Sequence, residues 1–159
     1  MNQEAVQTLY EFISSPVFLS AFFAWFLAQL LKMIIDVARH RTRTSRAMMA
    51  TLFWKTGGMP SSNSSLVTAL ATSIGFEFGA STPLFTLSLF YGILIIRDAL
   101  GVRRAAGNQA RTMNRMVVLL NERFHTEFQP VREVTGHTPA EVSVGVLLGF
   151  FIAVAFSFL

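Results

Sequence analysis

Val17 to Val37 reads VFLSAFFAWFLAQLLKMIIDV. A bilayer core of about 30 Å takes roughly 20 apolar residues to cross, so this stretch is long enough to span. Its polar members, Gln29, Lys32 and Asp36, lie toward its end. Leu66 to Phe78 is a second apolar run, short for a span, so Ser64 and Ser65 are expected to belong to the same helix. Gly79 to Pro83 reads as a turn, Leu84 to Ile96 as a third apolar helix, and Val142 to Leu159 as a last one. The expectation is an all-α integral membrane bundle of about four transmembrane helices in a single domain, 1–159. The spans lie near 17–38, 61–78, 83–100 and 139–158.

Composition agrees. Only 14% of residues are charged, against roughly 25% in ordinary soluble domains. Sixteen phenylalanines exclude a disordered chain. With no cysteine there is no disulfide framework, thiolate metal site or cysteine nucleophile. His40, His125 and His137 are too scattered for an obvious metal cluster. Acidic Glu4 and Glu11 precede the first run where a signal peptide would carry basic residues.

Counting crossings brings the polar pieces together. The end of the first span, the start of the second, the end of the third and the start of the fourth share one membrane face. All 13 Lys and Arg residues fall on or near that face, while Glu4, Glu11 and Glu77 mark the other. By the positive-inside rule the basic face is cytoplasmic and both termini lie outside. Residues 39–46 (RHRTRTSR) are basic, and 47–55 form a short amphipathic piece ending in Trp54-Lys55. A cytoplasmic helix is expected near 103–125. Met113, Met116, Val117, Leu120 and Phe124 form one stripe there, expected to pack on its neighbours. Topology signalling and anionic headgroups account for most of the arginines. They account poorly for Lys32 and Asp36, which lie inside an apolar run, where ionisable groups are functional candidates.

Thr56-Gly57-Gly58-Met59-Pro60-Ser61-Ser62-Asn63-Ser64-Ser65 then becomes informative. The glycines free the backbone to turn, and Pro60 suits the first turn of a helix. Hydroxyls and unpaired N–H groups follow where that helix begins, a place that favours anions. Taken alone it reads as an ordinary loop and cap. Thr138 with Glu141 likewise reads as a capping box. Gly145 and Gly149, four apart, permit close helix packing and make a homo-oligomer plausible.

Three spacings converge on the same face: Lys32, six residues, Arg39; Pro60-Ser61-Ser62-Asn63; and Arg132 through His137 to Glu141. Together they resemble the three-part signature of the type-2 phosphatidic acid phosphatase superfamily. The closer resemblance is to its divergent bacterial and plastid branch of acid phosphatase/vanadium-dependent haloperoxidase-related membrane proteins. GGMPSSNS (57–64), DALGVRRAAGNQA (98–110) and GHTPAEV (136–142) carry it.

The resemblance implies a lipid-phosphate or lipid-pyrophosphate phosphatase of the plasma or inner membrane, working at the cytoplasmic face. His137 would be the nucleophile that becomes phosphohistidine, and Glu141 would orient its ring. Lys32, Arg39, Ser61 and Ser62, with backbone N–H groups near Gly58, would cradle the phosphoryl oxygens. Arg132 would contact the same oxygens, as would Arg103 or Arg104, with Asp98 as the holding partner. No metal and no other cofactor enters this scheme. The implied partners are a lipid phosphate or polyprenyl phosphate and membrane lipids, and no nucleic acid.

His40 stands where the superfamily has proline, and Arg132 precedes His137 by one residue fewer than its spacing. The larger departure is Asn63, where the family has the histidine that protonates the leaving oxygen. Asn has no proton to transfer in this range. An alternative is therefore a catalytically impaired lipid-phosphate-binding protein. A third reading is a structural bundle whose basic face only engages anionic lipid.

Overall fold

A computed structural model of the chain describes residues 3–39, 57–133 and 136–159. Among them are six helices, α1 (Gln3–Ser14), α2 (Pro16–Ala38), α3 (Ser62–Phe78), α4 (Pro83–Leu100), α5 (Val102–Phe124) and α6 (Pro139–Ser157), and no strand. The expected basic run from residue 40 on and the amphipathic piece at 47–55 lie outside the described residues.

Local chemistry sets the helix ends. Ser15, Ser61, Thr82 and Thr138 each cap a helix, their side-chain oxygens accepting a backbone N–H from the first turn. Pro16, Pro83 and Pro139 follow three of those caps, where a missing N–H costs nothing. Pro60 does not open α3 as the sequence suggests; Ser61 is the cap and Pro60 precedes it. Helix α1, with Val6, Leu9, Tyr10, Phe12 and Ile13 exposed, was not expected from the sequence. Its 12 residues are too few to cross a bilayer, and apolar periodicity alone is a weak signal over so short a stretch.

The packing is that of a membrane protein. Ala24, Ala69 and Ala153 are 0% exposed, while Leu87, Phe90 and Phe151 on the same helix set are 69%, 60% and 63% exposed. Small residues therefore face inward and large apolar ones outward, which suits helices that meet closely and turn their bulk to lipid. Pro16–Ala38, the helical stretch opening at Pro83, and Pro139–Ser157 are long and apolar enough to cross a bilayer. The 17-residue α3 is about 25 Å long, shorter than a full span. It is nevertheless the hub, packing on α2, α4 and α6, while α4 and α6 barely meet.

Several serine hydroxyls in this interior are matched, while Gln29 Oε1 is buried without a partner. Ser20 and Ser73 hydroxyls lie 2.6 Å apart, Ser65 donates to the Ala24 carbonyl at 3.0 Å, and Ser88 to the Phe85 carbonyl at 2.8 Å. These pairs also fix direction. Ser20 with Ser73 and Ala24 with Ser65 make α2 and α3 antiparallel. Gly75 beside Phe85 and Gly92 beside Val67 do the same for α3 and α4. Gly145 against Ser61 and Gly149 against Ser65 make α3 and α6 parallel. The ends of α2 and α4 and the starts of α3 and α6 thus gather at one end of the bundle.

Two expectations need correction. A Cβ at Gly145 or Gly149 would overlap the carbonyl oxygen of Ser61 or Ser65. That glycine face is consumed by α3 within the chain and is not free for a second copy. The α5 stripe also stays open among the described residues. Met113, Met116, Leu120 and Phe124 are exposed, because α5 meets only its predecessor α4. Instead, residues 125–133 run back along α5. Asn114 accepts from Val131 N–H at 2.8 Å and donates to its carbonyl at 3.0 Å; Asn121 does the same for Phe128 at 3.0 Å each way.

Candidate functional site

The site is assembled at the end where the helix termini gather. Gly57 and Gly58 take φ of 83° and 88°, a region open to glycine, and deliver the chain to Ser61. The Lys32 stem lies against Gly58, 3.7 Å from where a Cβ would stand. Lys32 is only 2% exposed, and Asp36, one turn on, is buried on the same face of α2. Ser61 caps α3 by accepting the Ser64 N–H at 3.4 Å and the Ser64 hydroxyl at 2.9 Å.

The start of α6 is fastened to its neighbours. Ser61 N–H donates to the Glu141 carbonyl at 2.9 Å, and His137 N–H donates to the Ala99 carbonyl at 3.2 Å. Gly136 abuts the backbone of Arg104 so closely that any Cβ would clash. The capping box is complete: Glu141 Oε2 accepts the Thr138 N–H at 3.0 Å and Thr138 Oγ1 accepts the Glu141 N–H at 3.3 Å. The N-termini of α3, α5 and α6 therefore meet, and that of α5 has no side-chain cap at Gly101. Three positive dipole ends converge there, and the first-turn N–H groups of α5 have no side-chain cap.

His137 sits at that meeting point. It is 5% exposed, and neither ring nitrogen has a hydrogen-bond partner. Burial pushes its imidazole below the ordinary value of 6.5; Glu141 opposes that, and Lys32 and then Arg103 add to it. All three charges are thus within electrostatic reach of the ring. Arg103 Nε donates to Asp98 Oδ2 at 2.6 Å.

The remaining candidates are placed less centrally. Arg39 ends α2 with its side chain exposed, and Arg104 is exposed while its backbone touches Gly136. Arg132 is exposed on the strap that Asn114 and Asn121 hold. Ser62 is buried in the first turn of α3. Asn63 is half-buried and lines a small cavity with Leu66, Val67, Tyr91 and Ile95 at the α3/α4 contact.

Gly136 is the close-approach glycine, and Ala99 supplies the carbonyl that seats His137. Neither role shows in the residue alone, since each depends on a tertiary contact. Asn114 and Asn121, seven apart on α5, hold the 125–133 strap through contacts that only the tertiary structure supplies.

The model of a family described as "Divergent PAP2 family" matches residues 13–152. The chain belongs to that family. It is also 34% identical over 160 residues to YuiD, an uncharacterized membrane protein of Bacillus subtilis (strain 168), covering 93% of this chain and 98% of that protein. No solved structure matches. As a divergent PAP2 family protein it is an integral membrane protein. The family match takes in every residue of the site, from Lys32 to Glu141.

Proposed function

We propose that this divergent PAP2 protein is a metal-independent phosphatase of lipid phosphates or pyrophosphates, acting through phosphohistidine at the cytoplasmic face. The observation that carries the reading is the buried, unpartnered His137 ring where three helix N-termini converge beside Lys32 and Arg103. Such a place stabilises an oxyanion and its transition state by fixed charge and N–H donors.

The neutral ring, favoured by the lowered pKa, offers one nitrogen lone pair to phosphorus. The N–P bond forms as the P–O bond to the lipid breaks. Glu141 holds the charge that develops on the ring. Lys32, Arg103, Ser61, Ser62 and the N–H groups after Gly58 take the phosphoryl oxygens, with Asp98 steadying Arg103. Arg39, Arg104 and Arg132 supply an outer cationic rim. Water then breaks the N–P bond, releasing inorganic phosphate and restoring His137. With Asn63 in place of an acid, the leaving oxygen departs unprotonated from this side chain. A diphosphate, whose leaving phosphate is already a stable anion, suits that best.

Asn63 also supports a second reading, a protein that binds lipid phosphates in the same pocket without turning them over. Phosphate release from a panel of lipid phosphates and diphosphates, by purified protein in detergent with EDTA, separates the two. Release by the native chain and none by His137→Ala is the expected result. Vanadate-competed binding without release supports the binding protein. Neither release nor binding overturns both.

A further inference from the structure

We propose that α1 is an interfacial helix, seated by its apolar face in the headgroup boundary of the leaflet away from the His137 end. The occupant of that face is the lipid surface itself, and a zwitterionic surface in preference to an anionic one.

Val6, Leu9, Tyr10 and Ile13 recur at three and four residues and share one side of α1 with Phe12, while Glu4, Gln7, Thr8 and Glu11 share the other. All five apolar side chains are exposed. Among the described residues α1 packs on α2 alone. Lys32 against Gly58 puts the end of α2 at the His137 end, and Ser20 against Ser73 puts its start, and α1 with it, at the other. A lone helix of 12 residues is marginal in water, so a surface beyond these few contacts has to support it. At about 18 Å it is too short to cross the roughly 30 Å apolar core and suited to lie along its boundary.

Continuity identifies lipid as the occupant. A row of rings carries the apolar face of α1 onto α2. Phe12 meets Phe18 at 4.8 Å between ring centroids, Phe18 meets Phe22 at 6.1 Å, and Phe22 meets Phe26 at 6.2 Å. Phe22 is 44% exposed on a helix long and apolar enough to span, so the row joins the bilayer-facing surface. Ser15 fixes the joint between the helices. Its Oγ donates to the Phe12 carbonyl at 3.0 Å and accepts the Phe18 N–H at 3.2 Å. Charge then selects the lipid. The polar face carries Glu4 and Glu11, and no Lys or Arg precedes Lys32. Membrane-surface helices that seek anionic lipid carry basic residues there. This one carries acids, which an anionic leaflet repels.

The chain has no cysteine, so a single introduced cysteine takes a nitroxide label at one position only. Full-length protein in phosphatidylcholine nanodiscs is labelled at Val6→Cys, Leu9→Cys and Ile13→Cys on one side and at Gln7→Cys and Thr8→Cys on the other. Collision with oxygen and with a water-soluble nickel chelate reads the depth of each label. The first three are expected about 5–10 Å into the headgroup boundary and the last two in water. Adding phosphatidylglycerol should shift Leu9→Cys toward water, and Glu4→Gln with Glu11→Gln should cancel that shift. Equal nickel access at all five positions overturns the proposal, since α1 would then be free of the membrane. Protection of Leu9→Cys and Ile13→Cys from both reagents overturns it as well, with a second copy of the chain as the occupant. A label at Leu9→Cys that sinks deeper with phosphatidylglycerol overturns the choice of lipid. No turnover enters the measurement, so α1 is decided apart from the phosphatase reading.

Discussion

Ser61 donates its backbone N–H to the carbonyl of Glu141 at 2.9 Å, tying the start of α3 to the start of α6. One bond therefore links the turn that follows Gly57-Gly58 to the helix that follows His137. Gly145 and Gly149 let the two helices stay that close over the next two turns. Gly145→Val and Gly149→Val force the backbones apart. Overpacking of this kind costs about 1–3 kcal/mol. A lower Tm in detergent is expected for both, and for Gly145→Val a loss of vanadate binding as well, because Ser61 moves with its carbonyl.

His137 gives the site its pH dependence. Its folded pKa lies below 6.5, chiefly through burial. In the proposed mechanism the neutral ring is the nucleophile, so the acid limb of kcat/KM is expected below pH 6.5. Glu141 raises this pKa, so Glu141→Gln moves the limb to still lower pH. Stability follows the same sign. A base with a depressed folded pKa takes up its proton more readily when unfolded. Stability is therefore full above 6.5, begins to fall as pH drops through 6.5, and the loss is complete below the folded value. His137→Gln removes that slope. NMR titration of labelled histidine in micelles reads the pKa directly.

Arg103 and Asp98 are partly exposed, 42% and 37%, and their 2.6 Å pair adds little to stability. Asp98→Asn is expected to leave Tm unchanged. A hydrogen bond from a charged donor contributes about 1.5–3 kcal/mol. Arg103→Ala should therefore weaken vanadate binding by about tenfold or more. Asp98→Asn, which frees the guanidinium without removing it, should weaken it less. Equal losses would mean that Arg103 binds the ligand only when Asp98 holds it.

Asn114 and Asn121 hold the strap that precedes Gly136. Each removes its Phe128 or Val131 bonds when cut to alanine, at about 0.5–1.5 kcal/mol per bond. Faster amide exchange at Val131 in Asn114→Ala, and at Phe128 in Asn121→Ala, is the expected outcome by mass spectrometry.

How much of this was legible beforehand differs by residue. The helix start at Thr138 and the spans at α2, α4 and α6 follow from local chemistry that sequence displays, whereas the cap of α3 falls at Ser61, one residue after the Pro60 that the sequence favoured. The shared end of the bundle followed from counting crossings and from the placement of basic residues. The inward turn of Gly145 and Gly149 did not, because a small-residue pair reads alike whether its partner is the same chain or another. The openness of the α5 stripe was hidden for a similar reason: amphipathic spacing predicts an apolar face, not what covers it. Arg103 and Arg104 read alike in sequence; that Arg103 pairs with Asp98 while the Arg104 backbone abuts Gly136 depends on tertiary packing.

In the proposed mechanism, activity turns on Asn63. It lies in the second position of α3, half-buried, lining a cavity with Tyr91 and Ile95, while Ala99, one turn beyond Ile95, seats His137. An imidazole placed there has room in that cavity. General acid catalysis contributes roughly 10²–10⁴-fold. Asn63→His should therefore accelerate release from lipid monophosphates by about 10²-fold or more, and from diphosphates far less, since their leaving phosphate needs no proton. It should also add a basic limb to the pH profile, where the new acid loses its proton. Phosphate-release kinetics on a matched monophosphate and diphosphate of one chain length check this. An equal gain on both substrates would mean that position 63 acts by binding phosphate and not by proton transfer.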